Sequence, residues 1–296
     1  MTLHSEKNQS ITIFNVDSVG ARRGMHYYNF PLTSELNKLS NVNAILISTQ
    51  STSQNDLRPA SLEIWGAFRG IYSSYGKAIR GIFYAISLFR ILYRAIIEKP
   101  DLAHFHFFQV PVLDFLFLKA LKILGIAVII TVHDVVPFKN GKETEFKGNE
   151  IFQKIYHTAT GLIVNSKNAE AILGRLDSEL IEKTGLILPG NYIHVTKDLS
   201  VDRNQAIQNL DLDRERKYIL IFGTIKPNKR LDLVIEALRT INTQDIKLII
   251  VGQPREHDVT RYFDMVTNYN LESKVIWRLE NVTDEEMGWY FSASDV

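Results

Sequence analysis

Residues 218–238, YILIFGTIKPNKRLDLVIEAL, limit the folds open to this chain more than any other stretch. The apolar start, residues 218–222, is typical of a buried parallel strand, and Gly223 and Thr224 end that strand. Apolar residues then recur at helical spacing over residues 231–238. A buried strand, a glycine turn, a basic loop and an amphipathic helix in this order predict one βα unit of a parallel sheet.

The basic loop after this strand is suited to an anionic ligand. In a parallel sheet such a turn lies at the carboxyl edge, where ligands bind. Backbone N–H groups at the start of the following helix, together with Lys226, Lys229 and Arg230, would suit a diphosphate. The alternative is an ordinary βα unit whose three cations are solvated.

Composition excludes several classes of function. The chain has 296 residues, of which 45% are hydrophobic and 23% charged, and its net charge of +1 argues against nucleic acid as a partner. There is no cysteine, so disulfides and thiolate metal sites are excluded. The histidines lack HExxH-type spacing, and we expect no metal. The first ten residues are polar and lack the apolar segment of a signal peptide, which predicts a cytoplasmic protein.

Residues 78–97, AIRGIFYAISLFRILYRAII, predict a long apolar helix. Arg80, Arg90 and Arg94 interrupt the segment and would be costly inside a bilayer. One interpretation is a core helix with one cationic edge. The other is a helix whose arginine and aromatic face contacts the anionic inner surface of a membrane, as a peripheral protein does.

Strands alternate with helices along the whole chain, which predicts an α/β protein with two Rossmann-like parallel-sheet domains and a cleft between them. We expect a first domain over residues 1–192, a linker over 193–216 and a second domain over 217–296. Loops are expected at three places: residues 49–59, 66–76 and, as a candidate lid, 139–148.

The first expected strand, residues 11–16, is followed by a glycine-bounded basic loop over residues 17–24. Gly24 would let the backbone approach a ligand at the next helix start, and Arg22 could contact that ligand. The alternative for Arg22 is a solvated side chain. The loop is not a GxGxxG motif and no acidic residue follows the second strand, which argues against a dehydrogenase.

Two more polar groups lie at or near strand ends. His133 and Asp134 directly follow the apolar strand 127–132, a position typical of catalytic residues, although a capping histidine is the alternative. His104 and His106 would face one side of a short strand. A metal pair lacks a third ligand nearby, so we favour structural histidines.

Six stretches in the right order resemble the GT-B retaining glycosyltransferases of family 4, also called group 1. The resemblance covers nearly the whole chain and rests on the ordered set. The stretches are Gly24-Met25-His26 and residues 100–106, 131–137, 161–166, 222–237 and 282–296.

This resemblance implies transfer of a sugar from a UDP- or GDP-sugar to an acceptor hydroxyl, with the anomeric configuration kept and no further cofactor. The acceptor would be a glycan or a lipid-linked sugar of polysaccharide or glycolipid synthesis. His133 matches the family histidine near the donor sugar, and Lys229 the lysine on the diphosphate. The other positions expected at the donor site are Gly24, Gly223, Thr224, Lys226, Asn191 and Asn281.

The sequence departs from the family pattern at several points. Pro189 precedes Gly190 and Asn191 where relatives often carry a histidine, and Arg230 stands where glycine is usual. The family's two-glutamate motif lies beyond the segment 282–296, so we expect a carboxyl-terminally truncated chain with an incomplete second domain. The alternatives are a non-catalytic domain that binds nucleotide sugar, or a nucleotide-sugar epimerase.

Overall fold

The computed structural model describes residues 10–55, 57–135, 138–139, 142–143, 150–190, 201–241, 243, 245–254 and 258–296, with the backbone alone at positions 22, 23, 138, 139, 142, 143 and 228. The chain divides into two compact units. The first comprises residues 1–136 and 145–191, and the second residues 137–144 and 192–296.

The first unit is built on a seven-stranded sheet in the order β3-β2-β1-β4-β5-β8-β9, and every neighbouring pair is parallel. The strands are β1 Ile11–Val16, β2 Val42–Thr49, β3 Ile64–Phe68, β4 Leu102–Phe105, β5 Ala127–Val132, β8 Gly161–Val164 and β9 Thr184–Leu186. A short hairpin, β6 Phe138–Lys139 with β7 Lys142–Glu143, belongs to the second unit; the rest of the expected lid lies outside the described residues.

Helices cover both faces of this sheet. They are α1 His26–Leu36, α2 Gln50–Ser53, α3 Lys77–Glu98, α4 Pro111–Ile123, α5 Glu150–Thr158 and α6 Lys167–Leu176. Helix α1 packs Phe30 against Leu46 on one face. Helices α3 and α4 pack against Phe14 and Val16 on the other. Successive strand residues point to opposite faces, so both faces need apolar cover.

The second unit has a parallel sheet, β10 Lys217–Phe222, β11 Ile246–Val251 and β12 Val275–Arg278, in that order. Its helices are α7 Arg203–Asn209, α8 Leu231–Thr240, α9 Thr260–Asn268 and α10 Asp284–Ala293. Asp295 donates its backbone N–H to Tyr218, and Leu220 donates to Val296. These two bonds attach the last two residues of the sequence to the side of β10 that β11 leaves unpaired. The α/β class and the parallel sheets are confirmed.

Two expected loops contain regular structure. Residues 49–59 include α2, which Thr49 caps by accepting from the Thr52 N–H. Residues 66–76 overlap β3, so that interpretation of Gly66 as part of a loop was wrong. A Cβ on Gly66 would lie 3.0 Å from the Cα of Gln50, so the glycine serves a close backbone approach inside a strand.

Helix α3 buries Tyr84, Leu88 and Ile91 in the core, as a core helix should. Its arginines Arg90 and Arg94 lie over the ring of Trp65, at one edge of the helix. Among the described residues, no helix combines the length and apolarity needed to cross a bilayer.

Candidate functional site

Polar side chains from four adjacent strand ends of the first unit meet at the carboxyl edge of its sheet. Asn15 lies on β1, His106 follows β4, His133 follows β5 and Asn165 follows β8. Parallel strands present their carboxyl ends together, so residues distant in sequence become neighbours here. These four residues form one hydrogen-bonded chain.

The direction of this chain can be read from its buried end. The Thr33 hydroxyl donates to the Asn29 carbonyl over 2.7 Å, so it accepts from the Asn15 amide nitrogen, 2.8 Å away. The amide oxygen of Asn15 therefore faces His106 and accepts from its Nε2–H over 2.7 Å. In a neutral imidazole the other nitrogen is then an acceptor.

His133 completes the chain as a donor. Its Nε2 lies 3.2 Å from the acceptor Nδ1 of His106, and its own Nδ1 accepts from the Asn165 amide nitrogen at 3.4 Å. Burial lowers the pKa of His133 to about 4 and that of His106 well below its ordinary value. Both rings are thus neutral near pH 7, and His133 is held as the Nε2–H tautomer.

Aromatic rings fix the plane of His133. Phe107 stacks on it with ring centroids 5.0 Å apart, and Tyr28 meets it edge-on at 5.4 Å. The remaining histidine of the cluster, His104, lies 2.7 Å from the Thr131 hydroxyl, and burial lowers its pKa to about 4. The interpretation of His104 and His106 as structural overlooked the direct contact between His106 and His133.

The acidic end of the same edge is Asp17, which the sequence placed in a flexible loop. Its carboxylate accepts from the backbone N–H groups of Val19 and Gly20 and from the Asn29 amide, each at 2.9 Å. Burial raises the pKa of Asp17 to about 6. This carboxylate folds the expected loop into a short 3₁₀ helix, Gly20–Arg23.

The other predicted residues of the first unit lie around this edge. Gly24 ends the 3₁₀ helix in the left-handed region, with φ 71°, so the glycine meets a backbone need. Asp134 is exposed and takes part in none of the hydrogen bonds of the network. The side chain of Arg22 and the whole of Asn191 lie outside the described residues.

In the second unit, two glycines bring the ends of β10 and β11 together. Gly223 has φ 104° and Gly252 has φ 137°. A Cβ on Gly252 would lie 2.1 Å from the carbonyl oxygen of Gly223, whereas one on Gly223 would meet nothing within 4 Å. Open space above Gly223 and tight backbone contact beside it leave this strand end accessible to a ligand.

The predicted cations follow Gly223 directly. Lys226 and Lys229 are exposed at the two ends of a turn built on the 3₁₀ helix Pro227–Lys229, and α8 begins two residues after Lys229. No side chain caps α8 at Arg230, and the Leu233 N–H of its first turn donates to the Arg230 carbonyl over 3.0 Å. Thr224 is half-buried in the same loop.

Asn281 lies on the same edge, after β12. Its amide nitrogen donates to the side-chain oxygen of Gln253, which follows β11, over 3.4 Å. The structure therefore brings together Gly223, Thr224, Lys226 and Lys229 in one loop, with Asn281 two strands away. Sequence reasoning missed Gln253, as it missed Asn15, Asp17 and Asn165. The signal available was their position at or just after a strand.

Among the residues that the structure describes, one group has metal-type ligand atoms within 4.8 Å of one another: His157, Asp177 and Glu179. His157 and Asp177 already pair at 2.6 Å. This group lies outside the networks described above.

Comparison with known proteins supports the interpretation of the second unit. Residues 202–296 match the family model of glycosyl transferases group 1. No curated protein sequence matches the chain.

Solved structures share the fold of the chain. HepE from Anabaena, in complex with UDP and glucose, is 16% identical with a TM-score of 0.64; the match covers 96% of this chain and 72% of HepE. Sucrose-phosphate synthase from Thermosynechococcus elongatus is 16% identical with a TM-score of 0.69 over 96% and 74% of the two chains. A putative UDP-N-acetylglucosamine 2-epimerase from Listeria monocytogenes is 14% identical with a TM-score of 0.61 over 95% and 72%.

Residues 202–296 therefore match the glycosyl transferases group 1 family, and the chain as a whole has the GT-B fold.

Proposed function

We propose that this protein is a retaining glycosyltransferase of family 4. It moves a hexose from a UDP- or GDP-sugar to a hydroxyl of a glycan or lipid-linked acceptor, in polysaccharide or glycolipid synthesis. The observation that carries the proposal is the match of residues 202–296 to glycosyl transferases group 1, the part that contains Lys226 and Lys229.

The loop after β10 binds the diphosphate of the donor. Lys226 and Lys229 supply positive charge, and the uncapped first turn of α8 supplies N–H donors at the positive end of a helix dipole. Together they stabilise the charge that develops on the leaving diphosphate. Gly223 leaves the space that a phosphate group needs, and Asn281 lies near the base.

In the first unit, His133 contacts the donor sugar as a neutral group, with Gly24 near the diphosphate and acceptor. Both ring nitrogens of His133 are engaged, and its pKa of about 4 makes it a poor base near pH 7. The acceptor oxygen bonds to the anomeric carbon on the face from which the phosphate oxygen leaves. The acceptor proton passes to that oxygen, so His133 positions the donor sugar and need not act as a base.

The first test is turnover of UDP-glucose and GDP-sugars with a panel of glycan and lipid-linked acceptors, with the anomeric configuration of the product read by NMR. Lys229→Ala is expected to lower kcat/KM by roughly 100-fold, because a contact to a developing charge is lost. Lys217→Ala, an exposed lysine on β10, is the matched control. Equal turnover by both variants would refute the role of Lys229, and an inverted product would refute retention.

The second test uses pH. Because His133 is neutral throughout pH 6 to 8, its titration should not contribute to the pH profile of kcat in this range. The profile of His133→Asn is therefore expected to have the same shape as that of the parent. An inflection near pH 6.5 that disappears in this variant would make His133 a general base and contradict the proposed role.

A nucleotide-sugar 2-epimerase is the second candidate, because epimerases share this fold. Incubation with UDP-N-acetylglucosamine alone separates the two functions. An epimerase converts the donor at C2 without an acceptor, whereas a transferase needs the acceptor hydroxyl to form product.

A further inference from the structure

Helix α3 presents an apolar stripe to solvent on the side away from the core. The stripe residues follow one another at alternating spacings of three and four, so they share one helix face. Their exposed fractions range from 45% to 72%. They are Ile79, Ile82, Ile86, Phe89, Tyr93 and Ile96.

Helix α4 widens the stripe into a surface, which we term the α3–α4 face. Val112, Leu116 and Ile123 are each more than half exposed. Between the two helices lies a groove of about 220 Å³ lined entirely by apolar side chains, among them Leu92 and Leu113. An exposed apolar surface of this extent marks an interaction site.

The α3–α4 face is not the side of these helices that packs in the core. The opposite side of α3 already fills the core with Tyr84, Leu88 and Ile91. Buried Asp114 on α4 accepts a hydrogen bond from the Tyr84 hydroxyl, which fixes the two helices against each other. The orientation of both helices is thus determined from the inside, and the outer apolar residues contribute nothing to the core.

The surroundings of the face are basic. Residues 64–126 carry eight lysines and arginines against three acidic residues, in a chain whose net charge is only +1. The acidic groups are engaged: Asp114 with Tyr84, Asp101 with the Thr12 N–H, and Glu98 with Arg94. Exposed lysines at positions 77, 119 and 122 flank the apolar residues.

Two arginines border the stripe, and one of them, Arg94, is paired with Glu63 and Glu98. Arg90 and Arg94 lie over Trp65 at 5.6 and 4.9 Å from its ring centroid. These three side chains, with Phe89 and Tyr93, line an open surface groove of about 620 Å³. Aromatic rings beside guanidinium groups suit the boundary between lipid headgroups and acyl chains.

We infer that the α3–α4 face docks on an anionic lipid bilayer, with both helices lying in the plane of the interface. Apolar side chains enter the acyl boundary, and the exposed lysines and Arg90 contact headgroup phosphates. A second copy of the chain fits less well, because a face-to-face pair would bring two basic rims together with few free carboxylates to neutralise them.

Flotation with vesicles tests this docking. The chain is expected to float with vesicles of phosphatidylcholine mixed with phosphatidylglycerol, less with phosphatidylcholine alone, and less at high salt. Ile86→Ser/Phe89→Ser/Tyr93→Ser removes apolar contact and is expected to lower partitioning roughly tenfold or more. Ile187→Ser/Leu188→Ser, two exposed apolar residues elsewhere in the first unit, is the matched control.

A charge series separates the electrostatic part. Lys77→Glu/Lys119→Glu/Lys122→Glu is expected to weaken binding to anionic vesicles by roughly tenfold or more, and Lys154→Glu/Lys167→Glu/Lys217→Glu much less. Circular dichroism checks that each variant is folded. If the parent chain does not float with anionic vesicles, docking on a bilayer is refuted. It is refuted also if a variant and its control lose vesicle binding equally. A parent dimer that the serine triple converts to a monomer would assign the face to a second copy instead.

Discussion

At the scale of single residues, Arg230 has a backbone conformation that is unfavourable for any residue with a side chain. It has φ 50° and ψ 41°, the left-handed region that favours glycine. The resemblance to family 4 puts a glycine at this position, and the backbone explains why. Arg230 pairs with Asp232 on the surface, where such a pair contributes little.

Arg230→Gly is therefore expected to raise the melting temperature by roughly 2–4 °C, because it relieves the left-handed strain. Differential scanning calorimetry measures this change. Arg230→Ala keeps the strain and loses the ion pair, so it should melt no higher than the parent. Equal melting of the glycine and alanine variants would show that the backbone carries no strain here.

Asp17 gives the fold a pH dependence opposite to that of a paired carboxylate. Its pKa is about 6 in the folded protein and 3.8 as the ordinary value, because burial disfavours the charged form. The folded state therefore binds this proton more tightly. The stability that the protonated carboxyl contributes is fully present below about pH 4. It is lost as the pH rises through the folded-state pKa of about 6.

Asp17→Asn removes this titration. The free energy of unfolding of the variant, relative to the parent, is expected to rise by about 3 kcal/mol between pH 4 and 7, measured by urea unfolding. Asn29 can accommodate the new amide, because its buried side-chain oxygen has no hydrogen-bond partner among the described residues. Asp17→Ala should lower stability at pH 4 as well, since it leaves two backbone N–H groups unsatisfied. A constant difference between parent and Asp17→Asn would contradict the raised pKa.

At the scale of elements, the ends of β10 and β11 depend on two glycines for different reasons. Both have positive φ, but only Gly252 is pressed against a neighbouring backbone, at Gly223. The pair separates backbone strain from steric exclusion.

Gly223→Ala is expected to cost about 1–3 kcal/mol of unfolding free energy, from strain alone. Gly252→Ala should cost clearly more, since its Cβ must also displace the carbonyl of Gly223 and with it the end of β10. Urea unfolding followed by circular dichroism measures both. A larger loss for Gly223→Ala would show that the strand end relaxes around position 252.

At the scale of the whole molecule, each unit has its own core. Ile155 is fully buried in the core of the seven-stranded sheet, and Ile235 is fully buried between α8 and the second sheet. Each substitution to alanine should cost about 2–5 kcal/mol, the usual effect of a core cavity.

Ile235→Ala is expected to lower hydrogen-exchange protection in β10 and β11 and to leave β1 and β4 unchanged; Ile155→Ala should do the reverse. Stability is local to a cooperative unit, so a cavity weakens the amides of the core that contains it. If either substitution exposes both sheets equally, the two units unfold together.

The sequence alone determined the α/β class, the parallel sheets and helices such as α3 and α8. These features depend on local patterns: apolar runs of strand length, glycine turns and helical periodicity are visible without knowing what packs against them. The expected strand over residues 11–16 and the βα unit over residues 218–238 match the structure for this reason.

Only the tertiary structure decided which residues meet. The neighbours of β1 are β2 and β4, and that order brings Asn15 to His106 and His106 to His133. Strand order is a long-range property, set by how helices cover both faces of the sheet, and no local pattern records it. The same holds for Gly66, a glycine inside a strand because the backbone of Gln50 on α2 lies against it. It also holds for α3, whose arginines Arg90 and Arg94 lie over Trp65 while an apolar face remains in solvent.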